Sequence, residues 1–152
     1  MKKIGLFPGS FDPFTKGHED VVLKSLTLFD EVIIGIGINS SKKYFFELEK
    51  RIEHIQSLFK HLSNVKVMTY QKLTVEFCKE IGADFIVRGL RDNKDFEYEK
   101  SIAHMNNEIS DIETVFMLTA QKYGAINSSI VREIVRNNGN IDAFVTNANL
   151  LV

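Results

Sequence analysis

The sequence predicts a single-domain, doubly wound α/β fold built on a parallel sheet of about five strands. Short apolar runs alternate with segments of helical periodicity from one end of the chain to the other. The run 32–38 is continuously apolar and rich in β-branched residues, as strands covered on both faces are. The length of 152 residues suits one domain, which we place at residues 1–152.

Five apolar runs predict the strands of this sheet. The first run ends at Pro8, which opens a loop rich in turn-forming residues. The predicted strands are 4–7, 32–38, 65–68, 85–87 and 114–118. Since every strand is followed by a helix-compatible segment, we expect parallel pairing with right-handed crossovers.

Apolar residues spaced three or four positions apart predict the helices. We expect the first helix to begin near His18. The apolar stripes are Val22, Leu26 and Phe29; then Ile52, Ile55, Phe59 and Leu62; then Val75, Cys78 and Ile81; and last Ile130, Val131, Ile134 and Val135, with a more polar helix at 95–109 before the fifth strand. Cys78 is therefore interpreted as a buried structural thiol, whereas we expect His54 and His61 to be exposed on a charged helix.

The charge balance excludes several classes of partner. Nineteen Lys and Arg residues against 20 Asp and Glu residues give a formal net charge of -1, so no global positive field favours nucleic acid or an anionic membrane. The one cysteine can form neither an internal disulfide nor a zinc cluster. Neither a signal peptide nor a run of about 18 apolar residues is found. We expect a cytoplasmic protein.

Polar residues gather after four of the five strands, at 9–18, 40–43, 88–91 and 121–129. The carboxyl ends of parallel strands share one edge of the sheet, so these segments should meet there. They contain lysine, arginine, histidine, hydroxyls and glycines at the start of a helix, which are the groups that bind phosphates. The sequence has no P-loop, no complete dinucleotide-binding glycine pattern and no metal-ligand spacing, so any metal should arrive with a nucleotide.

Several motifs in these segments resemble the bacterial phosphopantetheine adenylyltransferase family, a nucleotidyltransferase family with a Rossmann-like sheet. They are G-S-F-D-P-F-T-K-G-H at 9–18, Lys42, R-G-L-R at 88–91, D-F-E-Y-E at 95–99 and I-N-S-S at 126–129. The wider superfamily usually has H-x-G-H, whereas position 15 here is Thr, which argues against cytidylyltransferase relatives. The resemblance covers nearly the whole chain.

The resemblance implies that the chain transfers AMP from ATP to 4′-phosphopantetheine, giving dephospho-coenzyme A and pyrophosphate in the penultimate step of coenzyme A synthesis. The acceptor phosphate attacks the α-phosphorus directly, without a covalent enzyme intermediate. Mg²⁺ would accompany ATP as cofactor. The resemblance also implies a homohexamer, and feedback by coenzyme A is an open possibility.

The resemblance also assigns site residues. The catalytic group comprises His18 as transition-state stabiliser, Lys42 and Arg91. The residues for phosphopantetheine are Ser10, Lys42, Thr74 and Arg88. The residues for ATP are Ser10, Phe11, His18, Gly89, Leu90, Arg91, Glu99, Tyr123, Gly124, Ala125, Ile126, Asn127, Ser128 and Ser129.

Other interpretations stay open from the residues themselves. Ser128 and Ser129 could cap the closing helix as well as bind phosphates. Asn127 stands where the family usually has a serine, and Ala125 replaces a usual aromatic residue. The alternative functions are a related nucleotidyltransferase with another phosphate acceptor, such as nicotinamide mononucleotide or a polyol phosphate, and a nucleotide or coenzyme A sensor without turnover.

Overall fold

A computed structural model describes residues 1–152 and contains one five-stranded parallel sheet with the strand order β3-β2-β1-β4-β5. The strands are β1 (Ile4–Gly9), β2 (Glu31–Gly37), β3 (Val65–Tyr70), β4 (Phe85–Leu90) and β5 (Glu113–Leu118). The helices are α1 (Lys16–Ser25), α2 (Leu48–Phe59), α3 (Thr74–Ile81), α4 (Asn93–Ser110) and α5 (Ser128–Arg136). Two short 3-10 turns lie at Gln121–Tyr123 and Ala148–Leu150. The predicted doubly wound parallel sheet is confirmed.

Both faces of the sheet are covered, which explains the continuously apolar strands. On one face, Phe7 and Ile34 pack with residues of α1 and α2. On the other face, the neighbouring strand residues Leu6 and Ile33 pack with α3, including Cys78. Successive side chains of a strand point to opposite faces, so each central strand supplies both cores. Cys78 is fully buried, as expected, and burial raises the pKa of its thiol to about 12.

The first strand extends further than the sequence predicts, through Pro8 to Gly9. A proline lacks the amide donor that an interior strand residue normally contributes to the ladder. Here β1 pairs with β2 along its whole length, but its pairing with β4 ends at Leu6 and Ile86. The missing donor therefore falls where β1 and β4 have already separated, and the proline is tolerated in a central strand.

Other boundaries shift by a few residues. The helix predicted from His18 begins at Lys16 and ends at Ser25, so Phe29 packs into the core from beyond the helix. The fourth strand continues to Leu90, which places Arg88 and Gly89 within the strand instead of after it. None of the helices combines the length and apolar character needed to cross a bilayer.

The C-terminal segment packs against the outside of α2 and α5. Val145 and Leu151 are buried in a third apolar cluster together with Phe46 and Val131. His54, which we expected to be exposed, is completely buried on this side of α2, and its Nε2 lies 2.7 Å from the Thr146 carbonyl oxygen. The expectation was wrong because the stretch around His54 reads as charged in sequence, whereas the tail covers that face of α2 in the fold.

Candidate active site

A cavity of about 530 Å³ opens beyond the carboxyl ends of β1 and β4. This is the position where the strand order reverses, since β1 lies between β2 and β4. Twelve of the residues predicted for the site line the cavity: Ser10, Phe11, His18, Lys42, Arg88, Gly89, Arg91, Tyr123, Ile126, Asn127, Ser128 and Ser129. The fold therefore brings together segments from four separate stretches of the chain.

The charged side chains that line the cavity favour anions. Four are cationic, namely Lys42, Arg88, Arg91 and Arg132, and two are acidic, Asp12 and Asp95. The excess of cations is local, because the whole chain carries a formal net charge of -1. A cleft that concentrates one sign of charge attracts ligands of the other sign.

The loop after β1 shapes the floor of the cavity. Phe11 is buried in this loop with a φ of 48°, a conformation that non-glycine residues rarely adopt. A Cβ at position 9 would lie 2.8 Å from the Phe11 ring, so only glycine fits there. The Phe11 ring in turn meets the His18 imidazole edge to face, with 5.1 Å between the ring centroids. Packing of the Phe11 ring against the His18 imidazole therefore restricts the orientation of that imidazole.

His18 lies in the first turn of α1 and forms a reciprocal cap with Thr15. The Thr15 amide donates to His18 Nδ1 at 3.0 Å, and the His18 amide donates to Thr15 Oγ1 at 3.4 Å. An amide nitrogen can only donate, so Nδ1 must be the acceptor and the ring proton must reside on Nε2. The side chain therefore offers a free Nε2–H donor from a ring that lines the cavity.

The environment of His18 keeps the imidazole neutral. Burial, followed by the positive charges of Arg88 and Arg91, lowers the pKa of His18 to about 3. Burial disfavours the charged form, and nearby like charges disfavour it further. At neutral pH the residue is therefore an uncharged hydrogen-bond donor, and its role as a transition-state stabiliser stays a prediction.

Arg88 lies in the second half of β4, where β4 no longer pairs with β1. Its Nη1 donates to the Pro8 carbonyl at 2.7 Å, and its Nε and Nη2 donate to the two Glu99 carboxylate oxygens at 2.8 and 2.7 Å. The forked pairing fixes the plane of the guanidinium. Glu99 thus lies against Arg88 and does not line the main cavity; its predicted contact with ATP stays a prediction.

A smaller cavity of about 200 Å³ adjoins the main one on the far side of Arg88. Thr74 and Glu99 line it together with Arg88 and Tyr70. Thr74 Oγ1 lies 3.0 Å from the Tyr70 hydroxyl, at the first residue of α3. Arg88 is common to both cavities, so a ligand whose phosphate reaches Arg88 can extend an uncharged arm along Thr74.

Arg91 connects the segment after β4 to the loop before α5. Its Nε donates to Asp95 at 3.1 Å, and its Nη1 donates to the Ile126 carbonyl at 3.1 Å. The contact with Ile126 spans 35 positions of sequence. Arg91 therefore holds the 121–129 loop over the cavity while keeping other N–H groups for a ligand.

The start of α5 differs from the sequence-based interpretation. Asn127 is the N-cap, and its Oδ1 accepts from the Ser129 and Ile130 amides. The Ser128 hydroxyl donates to the Pro13 carbonyl at 2.9 Å, and the Ser129 hydroxyl accepts from Arg132. Neither serine caps the helix, because the preceding asparagine already occupies that position.

Three further predicted residues lie outside the cavity lining. Leu90 ends β4, and its carbonyl accepts from the Thr119 amide at 2.8 Å. Gly124 follows the 3-10 turn, and Ala125 is exposed in a neighbouring cleft. The predicted contacts of these three residues with ATP stay predictions.

Arg132 belongs to the cavity but was missed by sequence reasoning. Its Nη1 donates to the Asp12 carbonyl at 2.8 Å, and its Nη2 donates to Ser129 Oγ at 2.9 Å. Arg132 lies one helical turn after Ser128, so helical periodicity could have placed it on the same face of α5. Its contact with Asp12 spans 120 positions and could only be found from the fold.

Comparison with known proteins identifies the family. Residues 6–134 match the family model described as cytidylyltransferase-like. Phosphopantetheine adenylyltransferase from Flavobacterium psychrophilum is 52% identical over 148 residues, which cover 97% of each chain. The enzymes of the same name from Cytophaga hutchinsonii and Bacteroides thetaiotaomicron are 51% and 48% identical, and the matches cover 95% of this chain and 97% and 95% of those proteins.

Solved structures with low sequence identity share the fold. A putative nicotinate-nucleotide adenylyltransferase from Vibrio parahaemolyticus superposes with a TM-score of 0.69 at 23% identity, over 99% of this chain and 97% of that chain. A bifunctional NMN adenylyltransferase/ADP ribose pyrophosphatase from Francisella tularensis gives a TM-score of 0.70 at 19% identity, over 93% of this chain and 44% of that one. On the evidence of the family model and of relatives that match over nearly their whole length, the chain belongs to the phosphopantetheine adenylyltransferase family and is a nucleotidyltransferase.

Proposed function

We propose that this enzyme transfers AMP from ATP to the phosphate of 4′-phosphopantetheine, releasing pyrophosphate and dephospho-coenzyme A. The observation that carries the proposal is the neutral His18, whose Nε2–H is free in a cavity shared with Lys42, Arg88 and Arg91. Relatives about 50% identical over nearly the whole chain bear the name of this activity. The reaction would be the penultimate step of coenzyme A synthesis.

The chemistry requires alignment more than a protein nucleophile. An oxygen of the acceptor phosphate attacks the α-phosphorus of ATP, and the bond from that phosphorus to the bridging oxygen of pyrophosphate breaks. Negative charge grows on the nonbridging oxygens of the α-phosphate during this step, and donors aimed at those oxygens stabilise the transition state. His18 Nε2–H supplies such a donor beside the N-terminus of α1, where backbone N–H groups also favour anions.

The two substrates occupy opposite sides of His18. Ser10 and Lys42 hold the acceptor phosphate, and the uncharged pantetheine arm extends past Arg88 into the smaller cavity beside Thr74. Lys42 is exposed at the cavity rim, so its ammonium can move between the acceptor phosphate and the α-phosphate. The nucleotide lies against the 121–129 loop, with Arg91 near its phosphates.

Mg²⁺ fits this site as a companion of the triphosphate. Mg²⁺ prefers oxygen ligands and commonly binds through substrate phosphates with one or two carboxylates. The cavity carboxylates are already engaged: Asp12 accepts from two backbone amides, and Asp95 accepts from Arg91. The ATP phosphates and water would therefore hold the ion, which supplies positive charge for the leaving pyrophosphate.

We further propose a cytoplasmic homohexamer. The exposed face of α4 supports self-association, because Tyr98, Met105 and Ile109 are 70%, 69% and 60% exposed on one side of the helix. Their spacing places them along a single stripe. Light scattering on purified protein measures the assembly directly. Feedback by coenzyme A is testable as inhibition in the same assay used for turnover.

One experiment separates the proposed function from its alternatives. Pyrophosphate release is measured with ATP and Mg²⁺ and a panel of acceptors: 4′-phosphopantetheine, nicotinamide mononucleotide and a polyol phosphate, with CTP replacing ATP in a parallel series. We expect release only with ATP and 4′-phosphopantetheine together. Release with another acceptor would support a different nucleotidyltransferase, and tight binding of both substrates without release would support a sensor.

A further inference from the structure

Two buried charges join the loops that carry Ser10 and Lys42. Asp12, in the loop after β1, is 7% exposed, and Arg51, in the first turn of α2, is 3% exposed. Neither was predicted from sequence as a residue of the site. A buried charge is costly unless hydrogen bonds satisfy it, so the partners of these two side chains matter.

Arg51 donates to the backbone of both loops. Its Nη1 donates to the Ser10 carbonyl at 2.6 Å, and its Nε donates to the Phe46 carbonyl at 3.0 Å. The planar fork of a guanidinium can make both bonds at fixed angles, whereas a lysine ammonium offers one flexible centre. The two contacts set the distance between the β1 loop and the 39–47 segment.

The Tyr44 ring extends this link toward Lys42. The Arg51 guanidinium carbon lies 4.4 Å from the centroid of the Tyr44 ring, and Lys42 Nζ lies 5.3 Å from the same centroid. The Tyr44 hydroxyl accepts from the Asn39 amide at 3.1 Å, near the start of the segment. The Lys42 ammonium and the Arg51 guanidinium therefore approach the same ring, and the backbone segment that carries Lys42 is linked to Arg51 through Tyr44.

Asp12 links the same two loops as a hydrogen-bond acceptor, whereas Arg51 links them as a donor. Its two carboxylate oxygens accept from the Phe45 and Phe46 amides at 2.7 and 2.8 Å. Arg51 thus satisfies carbonyl groups while Asp12 satisfies amide groups across one junction. Charge-assisted bonds of this kind are stronger than neutral ones and hold a loop in a single arrangement.

We propose that Arg51 is a positioning residue that, together with Asp12, sets the separation of Ser10 and Lys42 and thereby the affinity for the acceptor phosphate. The proposal rests on the proposed function, which assigns that phosphate to Ser10 and Lys42. Arg51 does not line the cavity and acts only through the backbone of Ser10 and the ring of Tyr44.

The test compares Arg51→Lys with Arg136→Lys. Arg136 is a matched control because its guanidinium stacks on Phe45 of the same segment, 5.0 Å from the ring centroid. We expect Arg51→Lys to raise KM for 4′-phosphopantetheine about tenfold or more, with KM for ATP within about twofold, since small misplacements of reacting groups have large effects. Arg136→Lys should leave both values unchanged.

A second readout does not depend on turnover. Hydrogen exchange of residues 39–46 should accelerate in Arg51→Lys but not in Arg136→Lys, while exchange of the β2 amides stays unchanged. Tyr44→Leu, a milder change at a half-buried side chain, should raise the same KM if Arg51→Lys fails to fold. The proposal would be overturned if Arg51→Lys raised KM for ATP as much as KM for 4′-phosphopantetheine. It would also be overturned if the KM values and the hydrogen exchange of Arg51→Lys matched those of Arg136→Lys.

An inactive wild type would instead count against the proposed function, and the exchange data would still decide the role of Arg51.

Discussion

Thr15 and His18 cap the same helix reciprocally, and this pairing fixes the chemistry of the imidazole. The Thr15 amide donates to His18 Nδ1 while Thr15 Oγ1 accepts the His18 amide. A capping box normally carries Glu or Gln at the third helical position. Histidine there keeps the cap through Nδ1 and has a second nitrogen left for a ligand. The T-x-G-H motif therefore couples the start of α1 to the reacting centre.

His18→Ala should lose most turnover while keeping the fold. Removing one donor to a developing oxyanion commonly lowers kcat by about 10²–10³-fold. Losing the hydrogen bond from the Thr15 amide to Nδ1 should lower the free energy of unfolding by about 1 kcal/mol. Steady-state kinetics and urea unfolding measure the two effects. Turnover equal to that of the wild type would rule out the role given to His18.

His18→Gln separates capping from catalysis. The glutamine amide oxygen can accept from the Thr15 amide, as in an ordinary capping box. We expect the free energy of unfolding to return to within a few tenths of a kcal/mol of the wild-type value, with kcat still reduced. Wild-type kcat in this variant would show that the imidazole Nε2–H is not required, because the cap or the glutamine NH2 group would then be sufficient.

The lowered pKa of His18 predicts a pH dependence of stability. The imidazole titrates at about 6.5 in the unfolded chain and at about 3 in the folded protein, so between these values the unfolded state binds more protons. The free energy of unfolding should therefore fall as the pH drops from about 6.5 towards 3. His18→Gln should show a shallower fall. Imidazole ¹⁵N chemical shifts at pH 5 should report a neutral ring with the proton on Nε2; a charged ring would contradict the structure.

Glu99→Gln should weaken the hold on Arg88. The glutamine keeps one acceptor for a guanidinium that now donates to both carboxylate oxygens, and a bond to a charged group contributes about 1.5–3 kcal/mol. We expect lower stability and a higher KM for 4′-phosphopantetheine, because Arg88 lies between the two cavities. A rise confined to KM for ATP would instead support the nucleotide role that the family resemblance implies for Glu99.

Asn127→Ala should destabilise α5 by about 1 kcal/mol, since the Asn127 side chain caps the helix through two amides. Asn127→Ser, which restores the residue usual in the family, should retain most of that stability because serine is also a good N-cap. Thermal unfolding and KM for ATP measure the effect on the helix and on the nucleotide loop. Equal stability of the alanine variant and the wild type would show that the cap contributes nothing.

Cys78 should resist alkylation in the folded enzyme. The thiolate is the reactive form, and burial raises the pKa of this thiol to about 12. At pH 8 in the absence of denaturant, a thiol reagent should label the protein slowly, and labelling should become fast in concentrated urea. Rapid labelling of the folded enzyme would mean that the β-sheet face packed by α3 opens readily.

Much of the site followed from position along the chain. Ser10 and Arg91 directly follow strands, and His18 lies at the start of the helix that follows β1. Because the carboxyl ends of parallel strands share one edge, the meeting of these residues could be predicted before the fold was known. The hydrogen bonds of Arg88 to Glu99 and Pro8 could not be predicted from the sequence. They depend on how far β1 and β4 pair before they separate, and pairing between strands 80 positions apart leaves no local sequence pattern.

The buried charges show the same division. From the sequence, Asp12 is one polar residue of the loop after the first strand, Arg51 is an ordinary helix residue, and His54 belongs to a charged helix. Burial of all three arises where the 39–47 segment and the C-terminal tail cover α2 and the β1 loop. Covering of this kind depends on contacts between distant segments, which hydrophobic periodicity within one element does not record.

The sequence by itself determined the alternation of strands and helices, the family and the residues that collect at the carboxyl edge of the sheet. These follow from local patterns, since side-chain periodicity and the turn residues after each strand are written within short stretches of chain. Only the tertiary structure decided that His18 is a neutral Nε2–H donor, that Arg88 is held by Glu99, and that Asp12 and Arg51 join two loops. The protonation state, orientation and burial of a side chain depend on neighbours from distant parts of the sequence, and these neighbours are brought together only by folding.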